Sequence, residues 1–124
     1  MSGVANGSQE VPANSSTAIA SLSGTYNANS NSLEYNIVWT GLSTPATAAH
    51  FHGIASAGMN TAALYPINVD INGTSGSAKG QITVADSVEN ALLEGKMYYD
   101  IHSLIYPDGE IRGQISLSKQ AGTK

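Results

Sequence analysis

The chain has 124 residues, enough to bury one core, with 11% charged residues, a net charge of −4 and no cysteine. The missing basic footprint excludes nucleic-acid binding, and the missing thiols exclude a disulfide framework, a cysteine nucleophile and a thiolate zinc site. No apolar run approaches the ~18 residues of a membrane span.

Asn, Ser, Thr and Gly fill the polar positions, a composition that suits a secreted, periplasmic or cell-surface β-domain. The opening MSGVANG lacks the basic and apolar regions of a signal peptide, which leaves two readings, a cytosolic chain or, as the composition favours, an exported one whose signal lies outside this sequence. The expectation is one domain over 1–124, with its core at about 7–117 and a frayed tail at 118–124.

In chain order, TAIASLSGTY and LEYNIVW read as a hairpin across the turn NANSNS, with Leu33, Tyr35, Ile37 and Trp39 on the core face. AAHFHGIA is a further strand. INVDI and GSAKGQITV read as a second hairpin across NGTSG. DSVENALLEGK breaks the alternation and predicts a helix of about two turns, with Asp86 as N-cap, Glu89 completing a capping box, and Gly95 as the stop. KMYYDIHS and GEIRGQISL give the last two strands, joined through LIYPD. Short strands at regular turn spacing predict an all-β, antiparallel Greek-key sandwich or barrel, immunoglobulin-like or superoxide-dismutase-like, with one short helix.

The three histidines fall into this pattern in an informative way. Residues two apart on a strand share a face. In HFHGI, Phe51 takes the core side, leaving His50 and His52 together on the outer side. In MYYDIHS, Met97, Tyr99 and Ile101 form the core set, so Tyr98, Asp100 and His102 face outward. In GEIRGQISL the outward set is Glu110, Arg112 and Gln114. If the strands are adjacent, His50, His52 and His102 converge, a pattern suited to a transition metal. Asp100, Glu110, Arg112 and Tyr98 are candidates to support the ligands, the acids by accepting a hydrogen bond from a ring N–H. An open three-histidine site, with a water or a weak ligand such as Tyr98 or Met59, fits copper best, zinc less well. The duller reading of Arg112 pairs it with Glu110 or Asp100.

The segments SQEVPANSSTAIASLSGTYN, LEYNIVWTGLSTPATAAHFHGIA and LLEGKMYYDIHSLIYPDGEIRGQI together resemble the CHRD (chordin-type) domain family over nearly the whole chain. The resemblance implies an exported β-domain of the bacterial single-domain kind. It maps the family's paired histidines, later histidine and Gly-Glu-Ile-Arg-Gly element onto His50, His52, His102 and Gly109 to Gly113. A narrower similarity links HFHG to the copper strand of copper–zinc superoxide dismutase, and Arg112 to that enzyme's anion-guiding arginine. The chain lacks the further histidines and the disulfide of that enzyme, so the similarity concerns geometry alone.

Three functional readings result. The first is a metal-binding exported domain with copper on His50, His52 and His102 and no catalytic residue. The second is a non-catalytic module for an extracellular protein or glycan. The third is a copper oxidoreductase, acting for example on superoxide.

Overall fold

The structure, a computed structural model, describes residues 1–69 and 73–117. The strands are β1 (Ser2–Asn6), β2 (Ile19–Asn27), β3 (Ser32–Thr40), β4 (Ala46–Gly53), β5 (Ala63–Ile67), β6 (Gly76–Thr83), β7 (Met97–Ser103) and β8 (Ile111–Gln114); the helix, α1, is Asp86–Leu93. All neighbours pair antiparallel in one eight-stranded sheet of order β5-β4-β7-β8-β1-β2-β3-β6. The sheet curls into a nearly closed barrel or sandwich, as expected of an immunoglobulin-like or superoxide-dismutase-like fold. No helix among the described residues is long and apolar enough to cross a membrane.

The β2–β3 hairpin forms as its alternation predicts. Asn27 Oδ1 accepts from the backbone N–H of Asn29, and Asn31 takes a positive φ of 55° to close the turn. Leu33, Tyr35, Ile37 and Trp39 are buried in one core with Phe51, Tyr99, Ile101 and Ile111. The Tyr35 and Phe51 rings meet edge to face, 5.1 Å apart.

Three expectations are corrected. Among the described residues no pairing joins the two arms of the expected hairpin across NGTSG: β5 begins earlier, at Ala63, and pairs with β4, while β6 pairs with β3. The reason lies in two glycines, Gly76 and Gly80, which stand opposite Trp39 and Tyr35 in the β3–β6 register. A β-carbon at Gly76 would lie 2.7 Å from the Trp39 ring, and one at Gly80 2.5 Å from the Tyr35 hydroxyl, so β6 is shaped to lie over these two aromatic rings. The helix N-cap is Ala85, and no side chain caps it. Asp86 instead accepts from the Asn31 amide at 2.7 Å, and Glu89 accepts from the Tyr26 hydroxyl, so both acids tie the helix to the β2–β3 hairpin. The stop is as expected: Gly95 at φ +74° ends the helix, with Lys96 N–H donating to Ala91 O at 2.7 Å. Third, the sheet starts at Ser2, ahead of the expected core, because β1 fills the place between β2 and β8. Asp70, Ile71 and Asn72 of the expected second hairpin, and the expected tail 118–124, lie outside the described residues.

Candidate metal centre

Strands β4 and β7 are hydrogen-bonded neighbours, and their register places His50 opposite Asp100, Ala48 opposite His102 and His52 opposite Tyr98. The alternate residues Ala49, Phe51, Tyr99 and Ile101 enter the core. Pleat parity therefore gathers four side chains around one point. His50, His52, Asp100 and His102 each offer a ligand atom, and these atoms all lie within 4.8 Å of one another. The sequence reading assigned Asp100 to a supporting role; it stands among the histidine nitrogens.

The site is more enclosed than an outward strand face suggests. His52 is 9% exposed, Asp100 and Tyr98 3% each, and Arg112 1%. His50 and His102 are half-buried. Two segments that alternation does not describe provide the cover: Glu10, Val11 and Pro12, and Asn60 and Thr61, line the same cavity as His52, Asp100 and His102.

Hydrogen bonding fixes how the rings present their nitrogens. His52 Nδ1 lies 3.0 Å from the carbonyl oxygen of Thr61, and His102 Nδ1 lies 2.7 Å from that of Pro107. A carbonyl only accepts, so each Nδ1 carries its proton and donates. In the neutral rings the lone pair then belongs to Nε2. Both Nε2 atoms lie 3.0 Å from the same oxygen, Asp100 Oδ1. Two lone pairs facing a carboxylate oxygen repel, so this contact requires either a proton on each Nε2 or a cation among the three atoms. Carbonyl partners that fix the tautomer and orient the ring are the usual companions of histidine ligands.

The electrostatics agree. Burial opposes charge on His102, but its hydrogen bond to Asp100 and that acid's negative charge outweigh burial and raise its pKa to about 9. His52 shifts upward under the same balance. Burial likewise works against the Asp100 carboxylate, yet hydrogen bonds from His102 and His52 hold it below its usual value. His50 moves the other way: burial, then the charge of His102, lowers its pKa, so it stays neutral with a lone pair to offer.

Of the other residues singled out from sequence, two stand beside the cluster. Tyr98 stacks on His52 with ring centroids 4.6 Å apart and planes 6° from parallel, and Arg112 places its guanidinium carbon 3.5 Å from the Tyr98 centroid. Tyr98 has its hydroxyl 3.2 Å from both the N–H and the carbonyl of Thr61, which occupies it away from the cluster. Arg112 pairs with neither Glu110 nor Asp100; it donates to Ser56 O at 3.2 Å and Gln114 Oε1 at 3.1 Å. Met59 is exposed.

Glu110 is elsewhere, and its outward placement is corrected. It precedes β8 rather than lying in it, after Gly109 at φ +125°, so strand parity does not govern its side chain. Its carboxylate is fully buried and accepts from the hydroxyls of Ser16 at 2.5 Å, Ser103 at 2.6 Å and Ser43 at 2.9 Å, with the Ser43 N–H also at 2.9 Å. It supports no histidine.

Sequence reasoning missed Glu10. It follows the 3₁₀ turn Gly7–Gln9, is 8% exposed, and lines the cavity beside the cluster. Burial, and secondarily the charge of Asp100, pushes its carboxyl up to about 7. A lone acid in a loop follows no periodic pattern, and nothing in SQEVPAN marks it out.

Comparison with curated proteins and with solved structures returns no significant match. The family model for the CHRD domain matches residues 1–115, and the chain belongs to the CHRD domain family.

Proposed function

We propose that this domain binds one divalent transition-metal ion on the outer face of its sheet, through Nε2 of His52 and His102, a ring nitrogen of His50 and the carboxylate of Asp100. The observation that carries the reading is the pair of Nε2 atoms converging on Asp100 Oδ1 while carbonyls hold both Nδ1 protons. The donor set suits the ion: three imidazoles and one carboxylate are borderline ligands for copper or zinc. Four ligands at ~2.0–2.1 Å from a tetrahedral ion stand ~3.3 Å apart, so closing the 4.8 Å spread needs side-chain shifts of about an ångström or less at each residue. For a given nitrogen and oxygen set the divalent series peaks at copper, and copper is the ion we assign. Low charge and the CHRD framework support a secreted or periplasmic setting.

Calorimetric titration of the full chain with Cu(II) and with Zn(II) tests the assignment. The expected result is one saturable site, tighter for copper, with nitrogen hyperfine structure in the electron paramagnetic resonance spectrum. Free copper at 100 times its Kd should stabilise the fold by about 2.7 kcal/mol. The His50→Ala, His52→Ala double variant should lose both effects. A parent without a saturable step, or a copper spectrum unchanged in the double variant, overturns the reading and leaves a non-catalytic interaction module.

A further inference from the structure

Arg112 faces Asp100 across the β7–β8 ladder, so a guanidinium stands on the strand next to the clustered histidines. It is almost fully buried, and every acceptor it meets is neutral: Ser56 O, Gln114 Oε1 and, at 3.4 Å, Asn60 Oδ1. Among the described residues no carboxylate forms an ion pair with it. Asp100 is taken by two imidazoles and Glu110 by its serines, while Glu10 feels the Arg112 charge without pairing with it. A cation buried among neutral partners is costly to desolvate, and its field is poorly screened by salt. The two stacking distances, Arg112 on Tyr98 and Tyr98 on His52, place it within about 8 Å of the His52 ring, close enough for one unit charge to act on another in a protein interior.

We propose that the cluster is a one-electron redox centre for copper, and that the charge of Arg112 sets its potential by favouring Cu(I) over Cu(II). The inference rests on the metal reading above and deepens it. An ion that gains an electron loses one unit of positive charge, and with it one unit of repulsion from the guanidinium. The electron comes from a small one-electron donor in solution, which is oxidised by one electron as Cu(II) is reduced to Cu(I). At about 8 Å and an effective dielectric of about 20, the lost repulsion shifts that equilibrium by about ten- to thirtyfold. His50 and His102 are only half-buried, and a cavity of about 350 Å³ opens beside His52, Asp100 and His102, so a donor meets the centre from solvent and not through the core.

The test is a mediated potentiometric titration of the copper-loaded full chain, its bound Cu(II) first confirmed by paramagnetic resonance. The parent should reduce and reoxidise reversibly. Arg112→Gln, which removes the charge, should lower the midpoint potential by about 60–90 mV, the same ten- to thirtyfold change in the Cu(I)-to-Cu(II) affinity ratio. Arg112→Lys, which keeps the charge, should hold the parent's value. Gln114→Glu reaches the same end by another route, since it sets a carboxylate where Arg112 Nη2 already donates, and it should lower the potential as Arg112→Gln does. A role in packing alone would change the affinities for both ions together and leave the potential where it was, and that result overturns the proposal. An equal fall in Arg112→Gln and Arg112→Lys also overturns it, because shape and not charge would then be the cause. Should one neutralising variant fail to fold, the other decides; should both fail, the parent decides, with Cu(I) bound more tightly than Cu(II) in support and the reverse order against. In each of these failures the Cu(II) signal keeps the metal reading intact, whereas absence of any copper signal removes both readings together.

Discussion

Two buried acids ten residues apart put the same carboxylate chemistry to different ends. Asp100 is surrounded by imidazoles, whereas Glu110 is surrounded by serines from three separate stretches of chain. Glu110 thereby ties the segment before β2, the β3–β4 connection and the end of β7 to one point, and its backbone carbonyl also accepts from the Asn14 amide at 2.9 Å. Burial opposes its charge, but hydrogen bonds from Ser103, Ser16 and Ser43 outweigh this and lower its pKa from the ordinary 4.5. A carboxyl with a depressed folded-state pKa stabilises the fold above its unfolded value, and that contribution is lost as pH falls through the folded one. Glu110→Gln should therefore cost about 1.5–3 kcal/mol near pH 7, with the gap from the parent narrowing as pH drops below about 4.5. Urea unfolding at several pH values reads this directly. A gap independent of pH would show that shape, rather than charge, makes Glu110 useful.

At the scale of elements, β4, β7 and β8 lie side by side and contribute one layer each to a stack of His52, Tyr98 and Arg112. The stack holds the His52 ring at a fixed tilt while Thr61 fixes its tautomer. Tyr98→Leu leaves all four proposed ligands in place, yet should weaken copper binding by about 10–100-fold, the usual effect of removing a ligand's support. Calorimetry measures it, and an unchanged Kd would reduce the stack to packing. β8 also depends on a close approach: a β-carbon at Gly113 would lie 2.8 Å from the Tyr99 ring and 2.9 Å from Val4 O. Gly113→Ala should push β8 away from β1 at a cost of about 1–3 kcal/mol, seen as a lower urea midpoint. The inward placement of Gly113 was legible in GEIRGQISL, as was the sharing of one face by His50 and His52, because alternation along a strand needs no tertiary knowledge. The β4–β7 pairing that brings His102 to them was not legible, since register is a long-range property. Nor was the cover: Glu10 and Thr61 sit in aperiodic segments whose position is set by what they pack against. Glu110 misled for a related reason, since counting by twos continues past the end of a strand where the backbone does not.

For the whole molecule, the consequence of alternation is that the histidine–aspartate cluster and the hydrophobic core share their backbone. Phe51 lies between His50 and His52, and Ile101 between Asp100 and His102; both apolar residues are fully buried in the cluster that also holds Trp39. Neither face of β4 or β7 can loosen without disturbing the other, because moving the strand withdraws about 1.5–3 kcal/mol of burial for each large apolar side chain. The centre should thus melt with the barrel and not before it. Trp39 is the chain's single tryptophan and is buried, so its emission reports the core, while the imidazole ring protons of His52 and His102 report the site. In the metal-free protein the urea transitions from the two probes should coincide, as two-state unfolding requires. Histidine signals that shift to unfolded positions at lower urea than the tryptophan transition would mean that the segments at Glu10 and Thr61 open independently, and that the ion, when bound, organises its own cover.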